Sequence, residues 1–287
     1  MPEDYLKTIL HSVDEAGKTA LKQIEKNQPQ LKGDHSVITE ADQEVSRLVR
    51  ERLSAYLKNK DHILIDEESP DNFKFLNREL LKKTPYIWSI DPIDGTRLYA
   101  NKIPIFSISF GLIKNLEPWL GAVYFPALQE LFYCDGEEAF FVEGAFTRKQ
   151  KTVKIRPLDP TISYFSILMC DDETLKNFHW DYKDCQIIVS GCASADLCWP
   201  TIGRGCGAVF KSSLWDMAGS WPIVHQAGFK LRSISTGQVL DKLEVESFND
   251  RQKPWRVKDF YIVSSERNFP IIKKKLVMNS LSLRETI

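Results

Sequence analysis

Two short apolar runs in this chain each lead directly into carboxylates, and that arrangement restricts the fold more than any other feature. Ile63-Leu64-Ile65 runs into Asp66-Glu67-Glu68-Ser69-Pro70, and Tyr86 to Ile90 runs into Asp91-Pro92-Ile93-Asp94-Gly95-Thr96. Apolar runs of this length read as buried strands, so acidic side chains collect where two strands end. Like charges so placed repel unless a cation neutralises them. Hard oxygen ligands suit Mg²⁺, which takes few carboxylates together with water and phosphate oxygens. Pro92 and Gly95 predict a tight turn in which Asp91, Asp94 and the Ile93 carbonyl face one point. Gly95 and Thr96 would then present backbone N–H groups at a helix start, where an anion is favoured.

Each motif alone is also ordinary turn or loop chemistry, and it is their joint occurrence at strand ends that points to a site. The rest of the chain supplies a framework for it. Tyr5 to Asn27 repeats apolar residues at helical spacing, and a second helix is expected from Glu40 to Asn59, with Thr39 as N-cap and Asp42 as the acidic third residue. Strands follow at Ile105–Ile113, Trp119–Tyr124, Glu130–Tyr133 and Phe140–Val142, then at Ile162–Met169 and Ile187–Val189. Trp215 to Gln226 reads as one helix. The boundary is expected at Pro157 to Pro160, dividing an N-terminal half (1–157) from a C-terminal half (158–287) packed as one unit.

Charge and cysteine usage narrow the function class. With 38 basic and 39 acidic residues, the chain carries no global field for nucleic acid or an anionic membrane. The start, MPEDYLKTIL, lacks the basic and apolar regions of a signal peptide, and no apolar run is long enough to span a bilayer. A cytoplasmic protein is therefore expected, with Cys134, Cys170, Cys185, Cys192, Cys198 and Cys206 as reduced thiols rather than a disulfide frame or a zinc site. His11, His35, His62, His179 and His225 have no ligand spacing and read as surface or packed residues. Trp88 and Trp215 read as core anchors, and Lys273-Lys274-Lys275 as a solvated helix face.

The chain resembles the inositol monophosphatase family over nearly its whole length. Val37-Ile38-Thr39-Glu40-Ala41-Asp42, Asp66-Glu67-Glu68-Ser69, Trp88-Ser89-Ile90-Asp91-Pro92-Ile93-Asp94-Gly95-Thr96 and Trp215-Asp216-Met217-Ala218-Gly219 stand in the family's order. The resemblance implies a five-layer α/β/α/β/α sandwich of the sugar-phosphatase type, commonly a homodimer, with two or three Mg²⁺ ions and lithium sensitivity. It places Glu67, Asp91 and the Ile93 carbonyl on a first ion, Asp91, Asp94 and Asp216 on a second, and Glu67 with waters on a loosely held third. Thr96 and Asp42, assisted by Glu67, would orient and deprotonate the attacking water, without a covalent intermediate. Gly95, Thr96, Gly191, Cys192, Ala193, Lys211 and Asp216 would contact the substrate, a small phosphate monoester.

The chain departs from the family at its substrate side. Lys211 stands where members acting on inositol phosphate usually carry a Glu, Gly203-Arg204-Gly205-Cys206-Gly207 lacks an acidic residue, and Ala227-Gly228-Phe229 lacks a second Gly. A 3′(2′),5′-bisphosphate nucleotidase or a sugar bisphosphatase is therefore a competing expectation. A metal-binding regulatory protein acting through a protein partner is a third, against which the intact Asp42, Glu67, Asp91, Asp94, Thr96 and Asp216 stand.

Overall fold

A computed structural model describes residues 2–26, 28–33, 36–181, 183, 185–249 and 254–279. The described residues build two large sheets with helices on both sides of each, and two short two-stranded sheets, Gln30–Leu31 with Val37–Ile38 and Phe178–Trp180 with Leu276–Met278. The first sheet has seven strands in sequence order: His62–Asp66, Tyr86–Asp94, Ser107–Lys114, Glu117–Phe125, Glu130–Cys134, Ala139–Glu143 and Lys151–Lys154. Its first two strands are parallel and the rest form an antiparallel meander. The second sheet runs Cys185–Val189, Ser166–Cys170, Gly207–Phe210, Tyr261–Ser264, Lys230–Ser233.

Alternation along the first sheet divides its side chains between two cores. Leu64, Trp88, Ile90, Phe110 and Leu112 face the helices Pro2–Gln23 and Glu40–Arg52. Ile65, Ile87 and Ile113 face the other way, meeting Met217, Trp221 and Val224 from the helices Leu214–Ala218 and Trp221–Gln226. Phe210, Leu231 and Val263 of the second sheet close that same core. Beyond the second sheet, Leu168, Val209 and Ile262 pack on Ile272 of the helix Asn268–Lys275. Helix, sheet, helix, sheet and helix follow one another, which is the layered sandwich that was expected.

Several boundaries differ from the sequence expectation for local reasons. The second helix is interrupted at Leu53, and Ser54–Leu57 forms a separate turn. The segment Trp215–Gln226 is two helices, because Pro222 has no N–H to offer the carbonyl of Ala218. The strand expected from Ile162 starts only at Ser166, whose amide turns back to the Ser163 carbonyl at 2.8 Å. The Cys-rich stretch after Gly191 holds an unexpected helix, Ala193–Cys198.

The largest difference concerns Asp91–Asp94, which is not a turn. The strand from Tyr86 continues to Asp94, with Asp91 opposite Ser109 and Asp94 opposite Ser107, so three steps on one strand match two on its neighbour. Such a bulge inserts one residue and reverses the alternation of side chains. On a regular strand, residues three apart point to opposite faces. Here the bulge turns both carboxylates to the same side.

Glycines bring the helix Leu214–Ala218 onto this sheet. A Cβ on Gly111 would lie 2.3 Å from the Ala218 carbonyl oxygen, and one on Gly121 would lie 2.1 Å from that of Gly219. These are backbone atoms and cannot step aside as a side chain would. Gly111→Ala should therefore cost about 1–3 kcal/mol as an overpacked core, read as a lower midpoint in urea. An unchanged midpoint would show that helix and sheet do not need this close approach.

Candidate active site

The bulge, the end of the strand His62–Asp66 and the helix Leu214–Ala218 bring carboxyl groups to one place. Asp91, Asp94 and Asp216 each offer an oxygen within 4.8 Å of the others. Asp91 and Asp94 are buried, at 2% and 5% exposure. Glu67 lies beside them, its amide donating to the Ile90 carbonyl at 3.2 Å, and its charge acts on Asp91, Asp216, Asp42 and Glu68.

Each acidic residue is held by its own local structure. The Asp91 Oδ1 accepts the Ile93 amide at 3.0 Å, which fixes the bulge. Asp216, third residue of its helix, accepts the Ser213 amide at 2.7 Å in a capping box. The Asp42 Oδ2 accepts both the amide (2.8 Å) and the hydroxyl (2.5 Å) of Thr39, as the expected capping box requires. Thr96 donates to the Ile93 carbonyl at 2.9 Å and stands 3.4 Å from the Asp42 Oδ1. Gly95 precedes it at φ +87°, with Ile105 and Cys192 crowding the space where a side chain would go.

The segment around Gly191 serves Asp94. The Ala193 amide donates to Oδ1 at 3.0 Å, the Ser194 amide to Oδ2 at 2.5 Å, and the Cys192 thiol to Oδ2 at 3.2 Å. Cys192 is 1% exposed, so its thiol is enclosed rather than presented to a ligand. Gly191 takes φ +77°, with Leu98 against its open side. All six cysteines are free and buried.

Electrostatics shows what the cluster lacks. Among the described residues no ion pair joins a cation to Asp91, Asp94 or Asp216, while the charge of Lys32 acts on Asp42 and its ammonium lies 3.1 Å from Glu67 and 2.7 Å from Glu68. Burial alone would depress Lys32, but these two neighbours outweigh it and raise its pKa. Burial, then Glu67 and its acidic neighbours, raises Asp91 well above the ordinary carboxylate range. Burial and Asp94 push Asp216 up to about 7, burial and Glu67 push Glu68 up to about 7, and burial first of all pushes Asp42 up to about 6. The charge of Asp94 raises the pKa of both Asp91 and Asp216, and that of Asp216 raises Asp91 further. Protons here do what a divalent cation would do better, so these donors fit such a cation.

A cleft of about 430 Å³ opens over this cluster, with Lys32, Glu67, Trp215, Asp216, Pro254 and Arg256 in its walls. Trp88 is a fully buried core anchor, as expected, and Trp215, partly buried, packs on the core as expected while also lining the cleft. Lys211 does not. Its ammonium is 3.7 Å from Glu173 and 5.0 Å from the centre of the Phe260 ring. Arg256 was not anticipated, because it belongs to a stretch without a motif. His62 and His225 accept the indole N–H groups of Trp88 and Trp221, the packed role expected of them, while His35 lies outside the described residues. No helix among the described residues is long and apolar enough to cross a membrane.

Comparison with known proteins agrees with this geometry. The model of the inositol monophosphatase family matches residues 2–265. A fructose-1,6-bisphosphatase/inositol-1-monophosphatase of Aquifex aeolicus is 26% identical over 220 residues, covering 74% of this chain and 80% of that protein. A 3′(2′),5′-bisphosphate nucleotidase of Buchnera aphidicola is 27% identical, covering 72% and 75%. The solved structure of an IMPase/NADP phosphatase complexed with NADP and Ca²⁺ has the same fold, with a TM-score of 0.74, 16% identity and coverage of 96% and 95%.

The raised carboxylates make cation binding a competition with protons. A buried carboxyl whose pKa rises on folding gives stability that is full below its unfolded value of about 4 and is lost as pH climbs through about 7 for Asp216. A cation that replaces the proton restores that loss. The rise in melting temperature on adding MgCl₂ should therefore be larger at about pH 8 than at about pH 5. Thermal unfolding with MgCl₂ against EDTA checks this, and an equal shift at both would contradict the proton–cation exchange.

Proposed function

The chain belongs to the inositol monophosphatase family and is a phosphoric monoester hydrolase, and on that premise we propose that it hydrolyses a small soluble phosphate monoester with Mg²⁺. The observation that carries the reading is the convergence of Asp91, Asp94 and Asp216 within 4.8 Å, the first two buried and the third partly so, with no ion pair to a cation among the described residues. Glu67, Asp91 and the Ile93 carbonyl would hold one ion; Asp91, Asp94 and Asp216 would hold a second, and Glu67 would share a third. Asp94 still has acceptor capacity for this, because a carboxylate offers about four lone-pair sites and its neighbours use three. Bound there, the ions neutralise phosphate charge and make a nearby water more acidic.

The remaining work falls to the chain's own groups. Thr96 orients the attacking water through its hydroxyl, and Asp42, close to it and with a pKa of about 6, accepts a proton near neutral pH. The Gly95 and Thr96 amides receive phosphate oxygens as negative charge builds. No residue need be phosphorylated. Inositol phosphate is the first substrate to test, and the resemblance to a bisphosphate nucleotidase makes a bisphosphate the second.

Asp216→Asn tests this reading more cleanly than a change at Asp94. An Asn at 94 would turn an N–H₂ towards the Ala193 or Ser194 amide, setting donor against donor. At 216 the amide oxygen can still accept from Ser213, so the capping survives while one charge is lost. Phosphate release at saturating Mg²⁺ should fall by roughly a hundredfold or more, with the folded circular dichroism spectrum retained. Turnover near that of the parent would sink the assignment of Asp216 as an ion ligand.

A further inference from the structure

We infer that Arg256 reads a second oxyanion on the substrate, so that the preferred substrate is a phosphate monoester carrying another phosphate-like group. The inference rests on the phosphatase reading above and extends it to substrate class. Arg256 stands in the cleft wall beside Trp215 and Asp216. Its guanidinium donates to Glu173 and, among the described residues, makes no other hydrogen bond or ion pair. A guanidinium has five N–H donors in a planar fork, which leaves most of that fork for a ligand.

The surroundings fix this side chain in place. Arg256 pairs with Ser213, the residue that caps the Asp216 helix, in an antiparallel bridge. The preceding Trp255 is fully buried, its carbonyl accepts the Leu214 amide at 2.8 Å, and its indole N–H donates to the Asn72 carbonyl at 2.9 Å. Trp255 holds φ +66°, a conformation a bulky residue keeps only where packing enforces it. A backbone so constrained aims Arg256 instead of leaving it to wander as a surface arginine would. Paired strands lie about 5 Å apart, so the Arg256 backbone is a neighbour of the Asp216 capping turn.

The placement of the charges points the same way. Glu173 pairs with Arg256 on the cleft side and with Lys211 away from it. Asp171 makes no ion pair with Arg256, although the two charges act on each other, and its oxygens accept the Thr174 amide and hydroxyl and the Lys211 amide. The cleft therefore has an acidic floor and a basic rim. A monoester with one phosphate satisfies the floor once cations are bound and leaves the rim unused. A second oxyanion can accept the Arg256 fork in two parallel hydrogen bonds. By position, Lys211 acts behind this group and not on the substrate.

The test measures kcat/KM for phosphate release by the full chain with Mg²⁺ on inositol 1-phosphate, adenosine 3′,5′-bisphosphate and fructose 1,6-bisphosphate. For the parent, at least one bisphosphate should exceed the monophosphate, and the two bisphosphates distinguish a nucleotide from a sugar source. In Arg256→Gln the ratio of the better bisphosphate to the monophosphate should fall about 10- to 100-fold, as loss of a charged hydrogen-bonding pair implies. Arg256→Lys should lie between, keeping the charge without the fork, and it carries the test if the Gln variant does not fold. Lys211→Gln should leave the ratio unchanged. A parent that prefers the monophosphate, an Arg256 ratio within twofold of the parent, or a fall on changing Lys211 instead would each overturn the inference and leave the phosphatase reading standing. A parent that releases phosphate from none of the three would overturn both.

Discussion

Carboxyl groups brought together out of water repel one another, and the architecture around this site can be read as the means of holding them there. A buried carboxylate without a partner costs several kcal/mol, and adjacent ones raise each other's pKa further. The chain does not remove the strain by local pairing. Lys32 pairs with Glu67 and Glu68 but makes no ion pair with Asp91, Asp94 or Asp216, where the charge of Asp94 raises the pKa of the other two. A fold that keeps such a cluster ready for a cation must fix every member from outside, because the members themselves push apart.

Three separate devices do this. The bulge between Asp91 and Asp94 reverses the strand alternation so that both face one side. The first turn of the helix Ala193–Cys198 then grips Asp94 by two amides and a thiol, which ties the second half of the chain to the first at the centre of the site. Gly111, Gly121 and Gly219 let the Asp216 helix approach the sheet backbone to backbone, closer than any Cβ would permit. Asp216 is positioned by contacts several residues away from it. The small residues of the Trp-Asp motif are thus as necessary to the cluster as its carboxylate.

These devices were unequally visible in the sequence. The carboxylates, the Thr39–Asp42 cap and most strands of the first sheet could be read, because each depends on neighbours within a few residues. The bulge was mistaken for a turn, since Pro92 and Gly95 suit either and only the partner strand, through Ser107 and Ser109, decides between them. The helix after Cys192 was hidden for a related reason. Its cap is Asp94, nearly a hundred residues earlier, so no local N-cap signal announces it. Lys211 drew attention by aligning with a family Glu, yet its ammonium lies against Phe260 and Glu173. Arg256 drew none, though Trp255 and Ser213 hold it at the cleft.

The separation of acidic floor from basic rim bears on how a phosphate ester can approach. Before cations bind, the floor repels a dianionic phosphate, and burial strengthens that repulsion because little solvent lies between the charges. Lys32 and Arg256 are the cleft-lining cations among the described residues, and both are tethered to glutamates rather than to the Asp91–Asp94–Asp216 group. Neither can stand in for a divalent ion at those three aspartates. Each can still attract an anion to the mouth of the cleft. A ligand with two anionic groups, unlike one with a single group, can then be held at the rim while its reacting phosphate settles on the cation-filled floor. That asymmetry would orient the substrate by charge alone, without a further binding wall.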